Sequence, residues 1–76
     1  MRDNLYQGTL EIVGRVLRVD TVDVRQDFFD LGASSLSIMQ ILSLLEHELG
    51  ARVTLTDALD APDIETFVQL VADSRG

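Results

Sequence analysis

The sequence predicts an all-α fold: a small four-helix bundle of three main helices and a short third one, with a long first crossover loop. Three observations carry this prediction. Apolar residues recur at helical spacing in three separate stretches, which begin near Leu5, Ser35 and Asp63. Gly50 and Pro62 punctuate the chain where a helix should stop or a new one begin. Finally, 46% of the 76 residues are hydrophobic, enough for a real core and too much for a disordered segment.

The first helix is expected over Leu5 to Val19. Tyr6, Leu10, Val13 and Leu17 form a helical stripe, widened by Ile12 and Val16. Glu11, Arg15 and Arg18 lie opposite, with Glu11 and Arg15 in the favourable i, i+4 order. Gly8 and Gly14 weaken this helix in isolation by roughly 1 kcal/mol each relative to alanine, so tertiary packing must hold it.

Asp20 to Ser34 is a long connection, close to the ~12–15 residues beyond which a structureless loop is usually functional or disordered. Val22 and Val24 alternate with polar residues and can pin it to the helices. Phe29 and Leu31 are expected to be further anchors, ahead of Phe28. A crossover this long suits a bundle whose first two helices run roughly parallel.

The second helix should start at or beside Ser35 and end at Leu49, with Gly50 as its stop. A serine before an apolar-periodic run signals a helix start, and loss of a cap at Ser35 would cost ~1 kcal/mol. Ile38, Ile41, Leu42, Leu45 and Leu49 share the core face. Leu36 and Met39 fall on another face beside Gln40 and Ser43, where an adaptable methionine and a leucine suit a docking surface. Next, Arg52 to Thr56 reads as a short extended stretch with Val53 and Leu55 inward. Thr56 should cap a brief third helix over Asp57 to Asp60, anchored by Leu59. Asp63 should cap the last helix, whose buried face is Ile64, Phe67, Val68 and Val71. The expected core includes Tyr6, Val13, Leu17, Leu42, Leu45, Phe67 and Val71.

Length and charge bound the function. A single domain over residues 1–76 is expected, and a chain this short buries only about 60% of its unfolded surface. With no cysteine there is no disulfide and no thiolate zinc site. No apolar run approaches the ~18 residues of a membrane span, and residues 1–4 do not open a signal peptide, so a soluble cytoplasmic protein is expected; it is also expected to be a monomer. Thirteen acidic residues against six arginines give a net charge of −7, which argues against nucleic acid and anionic membranes as partners. The same charge suits solubility, or steering toward basic protein surfaces.

Enzyme chemistry finds no support. Gly32-Ala33-Ser34-Ser35-Leu36 begins like a nucleophile elbow but lacks its second glycine and a preceding strand. The lone histidine, His47, is twelve positions beyond Ser35, about 18 Å along a helix, too far to act as its base. Asp20, Asp23, Asp27 and Asp30 do not follow the calcium-loop spacing.

The stretch Phe28-Phe29-Asp30-Leu31-Gly32-Ala33-Ser34-Ser35-Leu36 resembles the attachment motif of the acyl and peptidyl carrier proteins, F-F-D-L-G-G-x-S-L. It departs at Ala33, where the pattern has a second glycine, and at Ser34, where Asp or His is common. Ala61-Pro62-Asp63-Ile64 resembles the P-T-I segment that opens the last helix of many carriers. The resemblance covers nearly the whole chain and implies an acyl-carrier-like bundle. It further implies that Ser35 takes 4′-phosphopantetheine from coenzyme A through a phosphopantetheinyl transferase, and that residues just after Ser35 meet partner enzymes. Such a protein is non-catalytic: it holds its cargo as a thioester.

The F-F-D-L-G string looks most like peptidyl carriers of nonribosomal peptide synthesis. That implies an aminoacyl or peptidyl cargo, an adenylation enzyme, and downstream condensing or tailoring enzymes. Because the chain starts at Met1 without a flanking linker, a freestanding carrier is expected, although an excised domain of a larger synthetase would look much the same. The other readings are a polyketide or fatty-acyl carrier, and an unmodified helical adaptor.

Overall fold

The computed structural model describes residues 2–74, and four α-helices account for most of them. They are α1 (Arg2–Leu17), α2 (Ser35–Leu44), α3 (Leu55–Asp60) and α4 (Ile64–Ser74). The last turns of the second helix, Leu45–Leu49, are wound as a π segment. No strand occurs among the described residues. The ends of the expected 1–76 domain lie outside them.

The bundle closes because each long helix has an apolar face turned to the same centre. α1 packs against α4, α2 and the π segment, while α3 rests on α2. Ile12, Val13, Ile38, Ile41, Leu45, Ile64, Phe67, Val68 and Val71 are the largest of the apolar side chains that are essentially sealed from solvent in this centre. The whole expected face of α4 is therefore buried. The buried line of α1 runs through Leu5, Thr9, Ile12 and Val13, turned from the expected Tyr6–Leu10–Val13–Leu17 stripe. Thr9 makes this possible. Its hydroxyl donates to the Leu5 carbonyl at 2.6 Å, so no polar atom is stranded and the residue packs like a valine.

Of the expected core, Val13, Leu45, Phe67 and Val71 are buried. Tyr6, Leu17 and Leu42 are half-buried against it. Tyr6 keeps its hydroxyl at the surface of the bundle, where it donates to Glu65 Oε2 at 2.6 Å and ties α1 to α4. This bond to a carboxylate raises the phenol's pKa, because ionising the phenol would cost the bond and place two negative charges together. Leu42 sits at the edge of an open groove with Ser43, Glu46, Ala51, Arg52 and Val53.

Gly14 explains why α1 tolerates a poor helix former. A β-carbon there would stand 3.1 Å from the carbonyl oxygen of Val19, where the chain turns back over the helix end. The Val19 amide donates to the Gly14 carbonyl at 3.0 Å, closing that turn. Arg18, between them, adopts a left-handed conformation with φ 59°. Arg15 pairs with Glu48 of the π segment at 2.9 Å rather than with Glu11, an exposed bridge of small energetic weight.

Three local expectations are corrected. Phe28 is the aromatic anchor of the crossover loop, at 3% exposure, whereas Phe29 is 54% exposed. The ring of Phe28 packs on Phe67 of α4, while Phe29 stays open in a turn where the Asp30 amide donates to Asp27 Oδ1 at 2.7 Å. The short helix begins two residues earlier than expected, because Thr54 rather than Thr56 caps it, accepting from the Asp57 amide at 3.0 Å. That phase turns Ala58 inward and leaves Leu55 and Leu59 open, so Ala58 and not Leu59 is the anchor. The cap of α2 is Ser34, not Ser35. The Gly50 stop is as expected: left-handed at φ 67°, with its amide donating to the Glu46 carbonyl.

Candidate functional site

The two serines of the central motif do different jobs. Ser34 has an extended backbone, and its hydroxyl accepts from the Ser37 amide at 3.2 Å. It also lies 3.2 Å from the Ser37 hydroxyl. It is therefore spent as the N-terminal cap of α2. Ser35 is the first residue of α2 and is exposed.

The loop that delivers the serines is internally bonded. The Phe28 carbonyl accepts from the Leu31 amide at 3.1 Å and from the Ala33 amide at 3.0 Å, while the Phe29 carbonyl accepts from the Gly32 amide at 3.0 Å. Gly32 has φ 89°, which a residue with a β-carbon adopts only with strain. Nothing within 4 Å would meet a β-carbon there, so the constraint is the backbone and not crowding. Ala33, in the place of the motif's second glycine, is buried, so a methyl is accommodated. Upstream, the Ile64 and Glu65 amides of α4 donate to the carbonyls of Gln26 at 2.8 Å and Val24 at 2.9 Å. The loop thus satisfies donors that α4 would otherwise leave open. Nothing in residues 24–26 announces that contact in the sequence.

The remaining candidates lie beside Ser35. Leu36 is 65% and Met39 54% exposed, and Gln40 and Ser43 are exposed on the same helix. Phe29, Leu55 and Leu59 are exposed as well, so the apolar surface of the molecule is wider than the two expected residues. Sequence periodicity missed Leu55 and Leu59 because it placed the start of α3 two residues late. His47 is exposed on the π segment.

Two carboxylates near the loop are held below the usual range by amides. Asp23 accepts from the Arg25 amide, and Asp63 from the Thr66 amide at 2.8 Å, where it caps α4 as expected. Both are tied into local structure, which suits turns better than ligation.

A phosphopantetheine arm requires a hydroxyl open to a transferase, a nearby positive field for the phosphodiester, and room for an extended chain. Ser35 is exposed, and it opens a helix of ten residues whose amide dipoles point their positive end at this position. The residues present fit the group.

Similarity to other proteins agrees with this geometry. Residues 7–71 match the family described as "Phosphopantetheine attachment site". The chain is 33% identical over 74 residues to surfactin synthase subunit 1 of Bacillus subtilis (strain 168), covering 97% of this chain and 2% of that protein. It is 37% identical over 60 residues to tyrocidine synthase 3 of Brevibacillus parabrevis, covering 79% of this chain and 1% of that protein. It is also 34% identical over 50 residues to the bassianolide nonribosomal cyclodepsipeptide synthetase of Beauveria bassiana, covering 66% of this chain and 2% of that protein. The chain thus spans only about a fiftieth of such relatives. In this family 4′-phosphopantetheine is attached covalently. The chain belongs to the phosphopantetheine-attachment family of acyl and peptidyl carrier proteins, on its peptidyl side.

Proposed function

We propose that Ser35 bears the phosphopantetheine and that the protein carries an aminoacyl or peptidyl intermediate between the enzymes of a nonribosomal peptide assembly line. One observation carries the choice of serine: the Ser34 hydroxyl is engaged as the helix cap, whereas Ser35 is exposed at the first position of the helix. Ser35 Oγ, on giving its proton to a base of the transferase, attacks the β-phosphorus of coenzyme A. The new Oγ–P ester forms as the bond to the nucleotide breaks, and adenosine 3′,5′-bisphosphate leaves. The arm supplies a terminal thiol that holds the cargo as a thioester. The chain itself roots the arm, keeps it at the surface and presents a face to each enzyme. Catalysis belongs to the partners. What tethering contributes is a high effective concentration of the intermediate at each active site.

On this reading residues 1–76 form one carrier domain, monomeric and working in the cytoplasm. Among the described residues no helix is long and apolar enough to cross a membrane. Its partners are a phosphopantetheinyl transferase, an adenylation enzyme and condensing or tailoring enzymes. The exposed side chains of Leu36, Met39, Gln40 and Ser43 support a partner face beside the arm, and the net charge of −7 turns nucleic acid away.

The test has two stages. Intact mass after incubation with coenzyme A and a broad-spectrum phosphopantetheinyl transferase should rise by one arm, with peptide mapping placing it on Ser35. The modified protein should then accept an amino acid from an adenylation enzyme as a hydroxylamine-labile thioester. No mass gain would leave an unmodified adaptor. Loading by malonyl or fatty-acyl transfer, and by no adenylation enzyme of the same gene cluster, would move the protein to the acyl branch.

A further inference from the structure

Ser35 stands at the end of a chain of contacts that begins on α4. Phe67 of α4 is fully buried, and the ring of Phe28 meets it edge to face, with centroids 4.9 Å apart and planes at 77°. Phe28 is also the residue whose carbonyl accepts both the Leu31 and the Ala33 amides. The ring therefore fixes the carbonyl, and the carbonyl fixes the turn through Gly32 to Ala33. Ser35 is two residues further on. The same loop is bonded to α4 at the Val24 and Gln26 carbonyls, so it is held to α4 upstream by its backbone and again at Phe28 by a side chain.

We propose that Phe67, acting through Phe28, is a positioning residue for phosphopantetheine transfer: the aromatic contact sets where the Ser35 hydroxyl stands relative to the transferase's reacting groups. The inference rests on Ser35 as the attachment site. Its physical basis is the steep dependence of reaction on alignment, where a displacement of ~1 Å costs on the order of a hundredfold. A leucine at position 67 keeps the core apolar but removes the ring edge that locates Phe28, so the Phe28 carbonyl loses its fixed place. The helical surface after Ser35, including Leu36 and Met39, is untouched, so encounter with the transferase is not.

The test compares Phe67→Leu with Val13→Ala, a cavity variant in the sealed core on α1, using the full chain at a temperature where both are folded. Phe67→Leu should lower kcat for phosphopantetheine transfer at least tenfold while the KM for the carrier changes less than threefold. Amide exchange at Leu31 and Ala33 should speed up in Phe67→Leu and not in Val13→Ala. Val13→Ala should be modified at close to the parent rate.

Gly32→Ala carries the same test without touching the core: it strains the turn at φ 89° in open space and should also lower kcat by about tenfold or more. If Phe67→Leu does not fold, Phe28→Leu, which removes the other ring of the pair, decides the matter: it should lower kcat at least tenfold, and a parent-like kcat overturns the positioning role. Parent-like kcat in the folded variants, or equal losses in Phe67→Leu and Val13→Ala, overturns the positioning role. Peptide mapping of the parent protein separates this from the underlying assignment: an arm found elsewhere than Ser35 refutes the site, whereas an arm on Ser35 with an unaffected Phe67→Leu rate refutes only the positioning.

Discussion

Replacing each motif serine by alanine separates chemistry from capping. Ser34→Ala removes the oxygen that accepts the Ser37 amide. Caps of this kind are worth about 0.5–2 kcal/mol. Here the bond is 3.2 Å, at the long end of the N–H···O range, and both partners are near solvent, which can replace the lost acceptor. The lower half of the range applies, roughly 0.5–1 kcal/mol. For a domain of this size each kcal/mol moves the melting temperature by about 4–8 °C, so Ser34→Ala should melt roughly 2–8 °C lower and still take the arm at full stoichiometry.

Ser35→Ala removes no capping bond, and alanine is the better helix former by a few tenths of a kcal/mol. It should melt within a degree or two of the parent on the same scale, or slightly above it, and gain no mass with coenzyme A and transferase. Calorimetry and intact mass on the same two samples read both quantities. The reasoning fails if Ser35→Ala is the destabilised variant, or if Ser34→Ala loses the arm while Ser35→Ala keeps it.

Three further outcomes follow from the geometry. Met39 is 54% exposed, so about half of its ~1.5–3 kcal/mol of burial remains for a partner to use; Met39→Glu should slow partner turnover up to about tenfold with little change in melting temperature, and unfolding of this variant would place Met39 in the core instead. Arg18 holds φ 59°, so Arg18→Gly should raise the unfolding free energy by roughly 0.5–1 kcal/mol, read as a higher urea midpoint at constant slope, the left-handed strain outweighing glycine's extra chain entropy; an unchanged or lower midpoint contradicts this. Asp63 has its pKa lowered by the Thr66 amide, so its contribution is complete above the unfolded value of about 3.9 and fades as pH falls through the lower folded value. The melting gap between the parent and Asp63→Ala should accordingly narrow from pH 7 to pH 2, and an equal gap at both would exclude a role for the carboxylate charge.

Much of this protein is written in local pattern. The periodicity of Ile64, Phe67, Val68 and Val71 names the face of α4, and all four are sealed. Gly50 and Asp63 mark helix ends because a left-handed backbone and a side-chain acceptor are short-range requirements. The serine motif is equally legible, since residue types in an ungapped order are properties of the chain itself. What tertiary structure decided is which of two adjacent, chemically similar residues takes each role. Phe28 and Phe29 are the same residue type, and only the place of Phe67 across the bundle selects the first for burial. Ser34 and Ser35 can both cap a helix, and the phase at which α2 meets its loop gives the cap to Ser34 and leaves Ser35 open. Thr9 reads as polar until its bond to Leu5 lets it enter the core. The docking of residues 24 and 26 onto the start of α4 spans some forty positions and uses backbone groups that every residue carries. A contact of that kind leaves no trace in residue type, because any side chain allows it and only the packed bundle brings the two ends together.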